Sequence, residues 1–185
     1  MNSLIPYLNT LSDSRKAKGI RHQQTPSLVI MIMSMMCGYT GFNAMARFAK
    51  NHRVLLASQI PLPRGKVPGI STFRRLSNRL DIQELCQAFN QWMLSHYKPE
   101  LIAIDGKSIN STVSHCHDKE QNFASLVSFF GHQSHLVLRV GTLENSKQSE
   151  IHQVQALLSL FEVEKTVFTL DALHTQKNSR ADCKE

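Results

Sequence analysis

The sequence predicts a chain of two unlike parts: a small, basic, all-helical domain over residues 1–98, followed by an α/β domain over residues 99–185. Three observations lead there. Through the first hundred residues apolar side chains return every three or four positions, the period of a helix buried on one face. From Leu101 onward they gather instead in short runs, LIAID, FASLVSFFG, HLVLRVG and KTVFTLD, as strands require. The charge changes as well. Residues 1–100 hold 13 Lys or Arg against 4 Asp or Glu, and residues 101–185 hold 8 against 10. A basic first part suits a phosphate backbone or plain solubility.

The elements follow in order. Residues 1–25 are polar and basic, punctuated by Gly19, and read as a loosely held arm. Pro26 fits the first turn of a helix, where a missing N–H costs nothing. That helix should run to about Cys37 and break at Gly38 and Gly41. Its Met31, Met33, Met35 and Met36 are expected as core filler. The apolar run 28–42 is shorter than the roughly 20 residues a membrane span needs, so a buried helix is expected and no membrane partner. In FNAMARFAKNH, residues 42–52, Phe42, Met45, Ala46, Phe48 and Ala49 share one helical face.

SQIPLPRGKVPG, residues 58–69, has three prolines and two glycines and reads as loop. Ser71 is a plausible N-cap for a short helix with Phe73 and Leu76 inward and Arg74, Arg75 and Arg79 outward. Asp81 can cap the next helix, with Glu84 completing a capping-box pattern. In that helix Leu85, Ala88, Phe89 and Trp92 form the apolar stripe. Pro99 ends the helical part.

In the second part, residues 101–105, 123–131, 135–141 and 165–171 are expected as strands. Gly131 to Ser134 turn a hairpin between the second and third. A helix is expected at 149–161, through Ile151, Val154, Leu157, Leu158 and Phe161. Only 14 residues follow Asp171, with no core pattern, so the chain is expected to stop in mid-domain. The hydrophobic fraction, 42%, is near that of a soluble globular protein. The four cysteines form no CxxC, and no secretory signal opens the chain. A reducing, cytoplasmic setting follows as the expectation.

Asp105 and Asp171 each stand at the end of an apolar strand pattern. Side chains at such ends can converge on a ligand. Two carboxylates brought together repel, and a divalent cation relieves the repulsion. Magnesium prefers oxygen ligands and holds substrate phosphates, so the pair suits phosphoryl transfer. The residues alone equally allow each aspartate to cap its strand, because Asp105–Gly106 is a common turn pair. Lys107 is placed to meet a phosphate, and His174, Thr175 and Gln176 to line the same cleft. Arg74, Arg75 and Arg79 can touch DNA, and Arg15, Lys16, Lys18 and Arg21 form a basic arm equally able to track a backbone. His115, Cys116, His117, His132 and His135 have zinc-type side chains but not the spacing of paired knuckles, and are expected as satisfied or solvent-facing residues.

LIAIDGKSIN with VFTLDALHTQK resembles the ISAs1-type transposases, which include the H-repeat-associated proteins. GKVPGISTFRRLSNRLD is similar to that family's N-terminal associated domain, and ENSKQSEI to its segment before the helix that precedes the second acidic strand. The resemblance spans residues 10–178. It implies an incomplete RNase H-like domain with a mixed sheet in the second part. It also implies magnesium- or manganese-dependent DDE chemistry that cuts and joins double-stranded DNA at element ends. By position Asp105 matches the first acid and Asp171 the second. No residue matches the third, and Asp182 and Glu185 lie on no helical pattern. The expected function is therefore that of a DNA transposase, inactive as this chain alone. The alternative is a non-catalytic DNA-binding remnant or interaction protein, self-associating or pairing with a full-length transposase. It would be bacterial and cytoplasmic, and nucleoid-associated when on DNA.

Overall fold

The computed structural model describes residues 3–16, 18, 20–97, 101–114, 122–144 and 167–170. Contacts divide the chain into two compact units, one spanning Ser3–Leu85 and the other taking in the described residues from Cys86 on. A helical region thus precedes a mixed β-sheet, as the sequence predicts.

The first unit holds α1 (Ile5–Leu8), α2 (Gln24–Met36), α3 (Phe42–Asn51), α4 (Arg53–Gln59), a 3-10 turn at Pro63–Gly65, and α5 (Ile70–Ser77). Leu8, Leu28, Ile30, Met45, Phe48, Ala49, Leu56, Phe73 and Leu76 are buried and form its core. Gly38 stops α2 in a left-handed conformation, φ 82°. Its N–H donates to Met35 O and that of Tyr39 to Ser34 O, both at 2.9 Å, closing the last turn as a Schellman motif.

Several expectations change here. Of the four methionines in α2 only Met31 is buried; Met33, Met35 and Met36 are exposed. The inward face is completed by Ser27 and Ser34, whose hydroxyls donate at 2.7 Å to Gln23 O and Ile30 O and so need no outside partner. α4 carries no strong periodicity, and its first residues follow α3 with only His52 between. α5 starts one residue before Ser71. Gly69 is its N-cap and no side chain caps it.

Residues 1–25 are no loose arm where they are described. Ser12 donates from its N–H and hydroxyl to the Glu84 carboxylate at 2.8 and 2.9 Å. Ser14 donates its hydroxyl to Arg79 O at 3.5 Å, and Gln24 donates to Ser12 O at 2.9 Å. Arg15 grips Asp13 with two donors, 2.8 and 2.7 Å, and reaches His22 O at 3.1 Å. Glu84 is therefore drawn away from the second half of the capping box. The first half stands, because Asp81 Oδ1 accepts from Gln83 N and Glu84 N at 2.8 and 3.2 Å.

α6 (Ile82–Leu94) begins in the first unit and continues in the second. Its most buried line is Cys86, Ala88, Asn90 and Met93, rather than Leu85, Ala88, Phe89 and Trp92. Asn90 explains the rotation. Its amide donates to Val140 O at 2.9 Å and accepts from Val140 N at 2.8 Å. It imitates a neighbouring strand and covers part of a sheet edge that would otherwise stand unpaired.

The sheet contains β1 (Leu101–Ser114), β2 (Asn122–Gly131), β3 (Leu136–Glu144) and β4 (Val167–Leu170), in the order β3-β2-β1-β4. β1, β2 and β3 pair antiparallel, while β4 runs parallel to β1. This is the order of the first four strands of an RNase H-like sheet. Ile102, Ile104, Val127 and Phe129 are buried on one face. Arg139, opposite Phe129, shares that face at 1% exposure, and burial pulls its pKa below the ordinary value. The helix expected at 149–161 lies outside the described residues.

Candidate functional site

The sheet positions the first sequence-selected acid by register. β1 does not end at Asp105. It runs on to Ser114, and Asp105 and Gly106 are laddered opposite Ser128 and Val127. The turn reading of Asp105–Gly106 is thereby overturned: backbone pairing holds both residues extended. Alternation along the strand puts Asp105 on the face opposite Ile102 and Ile104, and its side chain is exposed. Ser128 donates its hydroxyl to Asp105 O at 3.4 Å.

The parallel partner approaches from the other side. Leu101, Ile102, Ala103 and Ile104 pair with Val167, Phe168, Thr169 and Leu170. The pairing reaches Ile104–Leu170, the residues immediately before Asp105 and Asp171 in the chain. Asp171, His174 and Gln176 lie outside the described residues. Lys107 is paired in β1 opposite Leu126. Among the described residues no three His, Cys, Asp or Glu side chains are grouped as a metal site requires. His132 and His135 are exposed in the turn between β2 and β3, while His115, Cys116 and His117 fall outside the described residues.

A second feature lies wholly within the helical unit. Ser14, Arg15, Lys16, Lys18, Ile20, Arg21 and His22 share with residues of α5 the lining of a cleft of about 660 Å³. Lys16, Lys18 and Arg21 line it from the arm, Arg75 and Arg79 from the helical side, with the hydroxyl residues Ser71 and Thr72 between. Arg75 is steadied by donation from its Nε to Ser71 O at 3.0 Å. Of the three arginines that the sequence sets together, Arg74 is exposed but is not part of this lining. His22 is also part of the lining. Burial, and after it the charges of Arg15, Arg21 and Lys66, hold its pKa below the usual histidine range. The Arg15 guanidinium, bonded to Asp13, lowers that carboxyl below its ordinary value. Sequence reading finds both basic segments but not their convergence. The one residue that could have signalled it is Glu84, a lone carboxylate placed to fasten the arm.

Residues 5–93 match a family model described as DDE_Tnp_1-associated. Together with the relatives that match the chain along its length, this supports a distant relationship to the transposase superfamily. Along its whole length it is 24% identical to "Putative transposase YncI" of Escherichia coli O157:H7, and equally to the protein of that name in strain K12. It spans 47% of the first protein and 74% of the second. Over 96% of its length it is 24% identical to "H repeat-associated putative transposase YbfD" of strain K12, spanning 70% of that protein. The chain thus covers about half the length of the longer relatives it matches. No solved structure matches it. Among the described residues no helix is long and apolar enough to cross a membrane.

Proposed function

We propose that the chain is a DDE-type DNA transposase polypeptide of the ISAs1, H-repeat-associated kind. Residues 1–98 are its basic, DNA-facing part, and residues 99–185 supply two acids of the catalytic centre. The observation that carries this reading is the β1–β4 register. Continued by one residue beyond Ile104–Leu170, it would set Asp105 beside Asp171 on one face of the sheet. An exposed carboxylate on a rigid, doubly paired strand is the donor a hard divalent cation accepts. Asp105 and Asp171 would hold that ion. When bound, magnesium or manganese supplies activation of a hydroxyl and neutralisation of phosphodiester charge. Lys107, His174 and Gln176 would steady the DNA backbone around the reacting phosphate.

Two acids are one fewer than the resemblance implies, so the 185-residue chain alone is expected to bind metal without completing strand transfer. Manganese titration followed by electron paramagnetic resonance tests the site. The chain should take up an ion, and Asp105→Asn and Asp171→Asn should each abolish that uptake. Uptake indifferent to both substitutions would refute the pairing. Strand transfer by the isolated chain would refute the inactivity.

A second reading is a DNA-binding protein without catalysis, self-associated or paired with a full-length transposase. The basic cleft favours it, because that cleft needs no metal.

A further inference from the structure

We propose that the cleft between the arm and α5 is a track for the phosphate backbone of duplex DNA, gripped from two sides by Lys16, Lys18 and Arg21 and by Arg75 and Arg79. The inference rests on the reading of DNA as partner but not on the aspartate pair.

Charge comes first. Among the described residues, five exposed cations and no carboxylate line one cleft. Asp13 is engaged by Arg15 and, of the five, feels the charge of Arg79, so it offsets the cluster only in part. Like charges held together raise the free energy of the folded chain until an anion lowers it.

The lining then narrows the kind of anion. Small-molecule pockets are mostly apolar with a few polar groups, but here Ile20 is the single aliphatic residue among the described lining residues. Single-strand and nucleotide sites stack bases on aromatic rings. Among the described residues no Phe, Tyr or Trp lines this cleft. Cations and hydroxyls without stacking platforms or apolar walls recognise sugar–phosphate rather than bases. About 660 Å³ is also far more room than a lone inorganic phosphate fills.

Rigidity comes last. The bonds from Ser12 to Glu84, from Ser14 to Arg79 O, and from Arg15 to Asp13 and His22 O hold the arm against the helices before any ligand arrives. The arm is thereby fastened at Ser12, Ser14 and Arg15 in advance, which lowers the ordering cost of binding.

The test is fluorescence anisotropy of a labelled mixed-sequence DNA duplex against the full chain, repeated across a salt series. Wild type should bind with a log–log salt slope of about −4 to −5, as expected for five phosphate contacts. The K16A/K18A/R21A chain should lose about 3 from the magnitude of that slope and R75A/R79A about 2, with affinity falling about tenfold or more in each. Arg74→Ala, off the lining, should bind as wild type does. Circular dichroism melting reports folding. If R75A/R79A does not fold, the arm variant, whose replaced side chains are all exposed, decides alone.

Duplex binding unchanged in both cleft variants would overturn the cleft while leaving DNA as a partner elsewhere on the chain. Tighter binding of single-stranded DNA or RNA of the same length would overturn the duplex assignment. Absence of binding to any of these probes would overturn both the cleft and DNA as partner. The manganese titration of Asp105 and Asp171 would still judge the metal site separately.

Discussion

The helical unit and the sheet unit are held in shape by different kinds of bond. In the helical unit the deciding contacts run from side chains to distant backbone: Glu84 to Ser12, Arg15 to His22, Gln24 to Ser12. In the sheet unit the deciding contacts are the ladders of β1 with β2 and β4, which place residues by register whatever their side chains. Charge follows the same division. The helical unit gathers cations around an open cleft, while the sheet buries one arginine and exposes one aspartate. A candidate site built on register is therefore sensitive to strand slippage, and one built on side-chain tethers to single substitutions far from the ligand.

The largest test removes one core ring from each unit. Phe73 and Phe129 are both wholly buried, and replacing either with alanine should cost about 3–5 kcal/mol. Phe73→Ala should expose α2, α3 and α5 to hydrogen exchange ahead of the strands, and Phe129→Ala should reverse that order. Identical exchange patterns in the two variants would show that the units do not open separately.

Asn90→Ala comes next. It removes both bonds to Val140 and should cost about 2–3 kcal/mol. Accelerated exchange of the Val140 amide, with the β1–β2 amides unchanged, would place the loss at the sheet edge. Protection of Val140 equal to wild type would show that Asn90 does not guard it.

The smallest effects are those of pH on the arm. Asp13 titrates below its ordinary 3.8 when folded, so the unfolded chain binds that proton first. Its contribution is full above 3.8 and is lost as pH falls through the lower folded value. His22 titrates below 6.5 when folded, chiefly through burial, so stability also declines as pH drops from 6.5 toward its folded value. Proteolysis of the arm should thus rise in two acid steps. Asp13→Asn should remove the lower step and His22→Gln the upper one. A single step untouched by either substitution would remove both residues from the account.

Local chemistry was readable where a residue acts on its own neighbourhood. Gly38 had to end α2 because a left-handed residue there closes the Schellman bonds. Asp81 had to cap α6 because its short side chain reaches the free N–H groups two and three residues on. Phe73 and Leu76 point inward and Arg74, Arg75 and Arg79 outward, as helical spacing demands. The short apolar runs on either side of Gly131–Ser134 likewise announced the β2–β3 hairpin. Periodicity misjudged α6, because the apolar count cannot foresee a buried amide such as Asn90 turning toward a strand edge. It also made too much of the methionines, since an apolar side chain reveals nothing about whether a partner covers it.

The sequence by itself determined the helical-then-sheet order, the excess of cations in the first part, and the two aspartates that follow strand-like runs. Each of these is written in composition or in spacing along a few residues. Only the tertiary structure decided that β4 lies parallel to β1 with Ile104 opposite Leu170, and that the arm folds back on α5 so that Arg75 and Arg79, but not Arg74, meet Lys16, Lys18 and Arg21. Both arrangements depend on contacts between residues some fifty or more positions apart, such as Ser12 with Glu84 and Ile102 with Phe168. Long-range pairing of that kind is selected by the packing of the whole unit, and no local pattern records it.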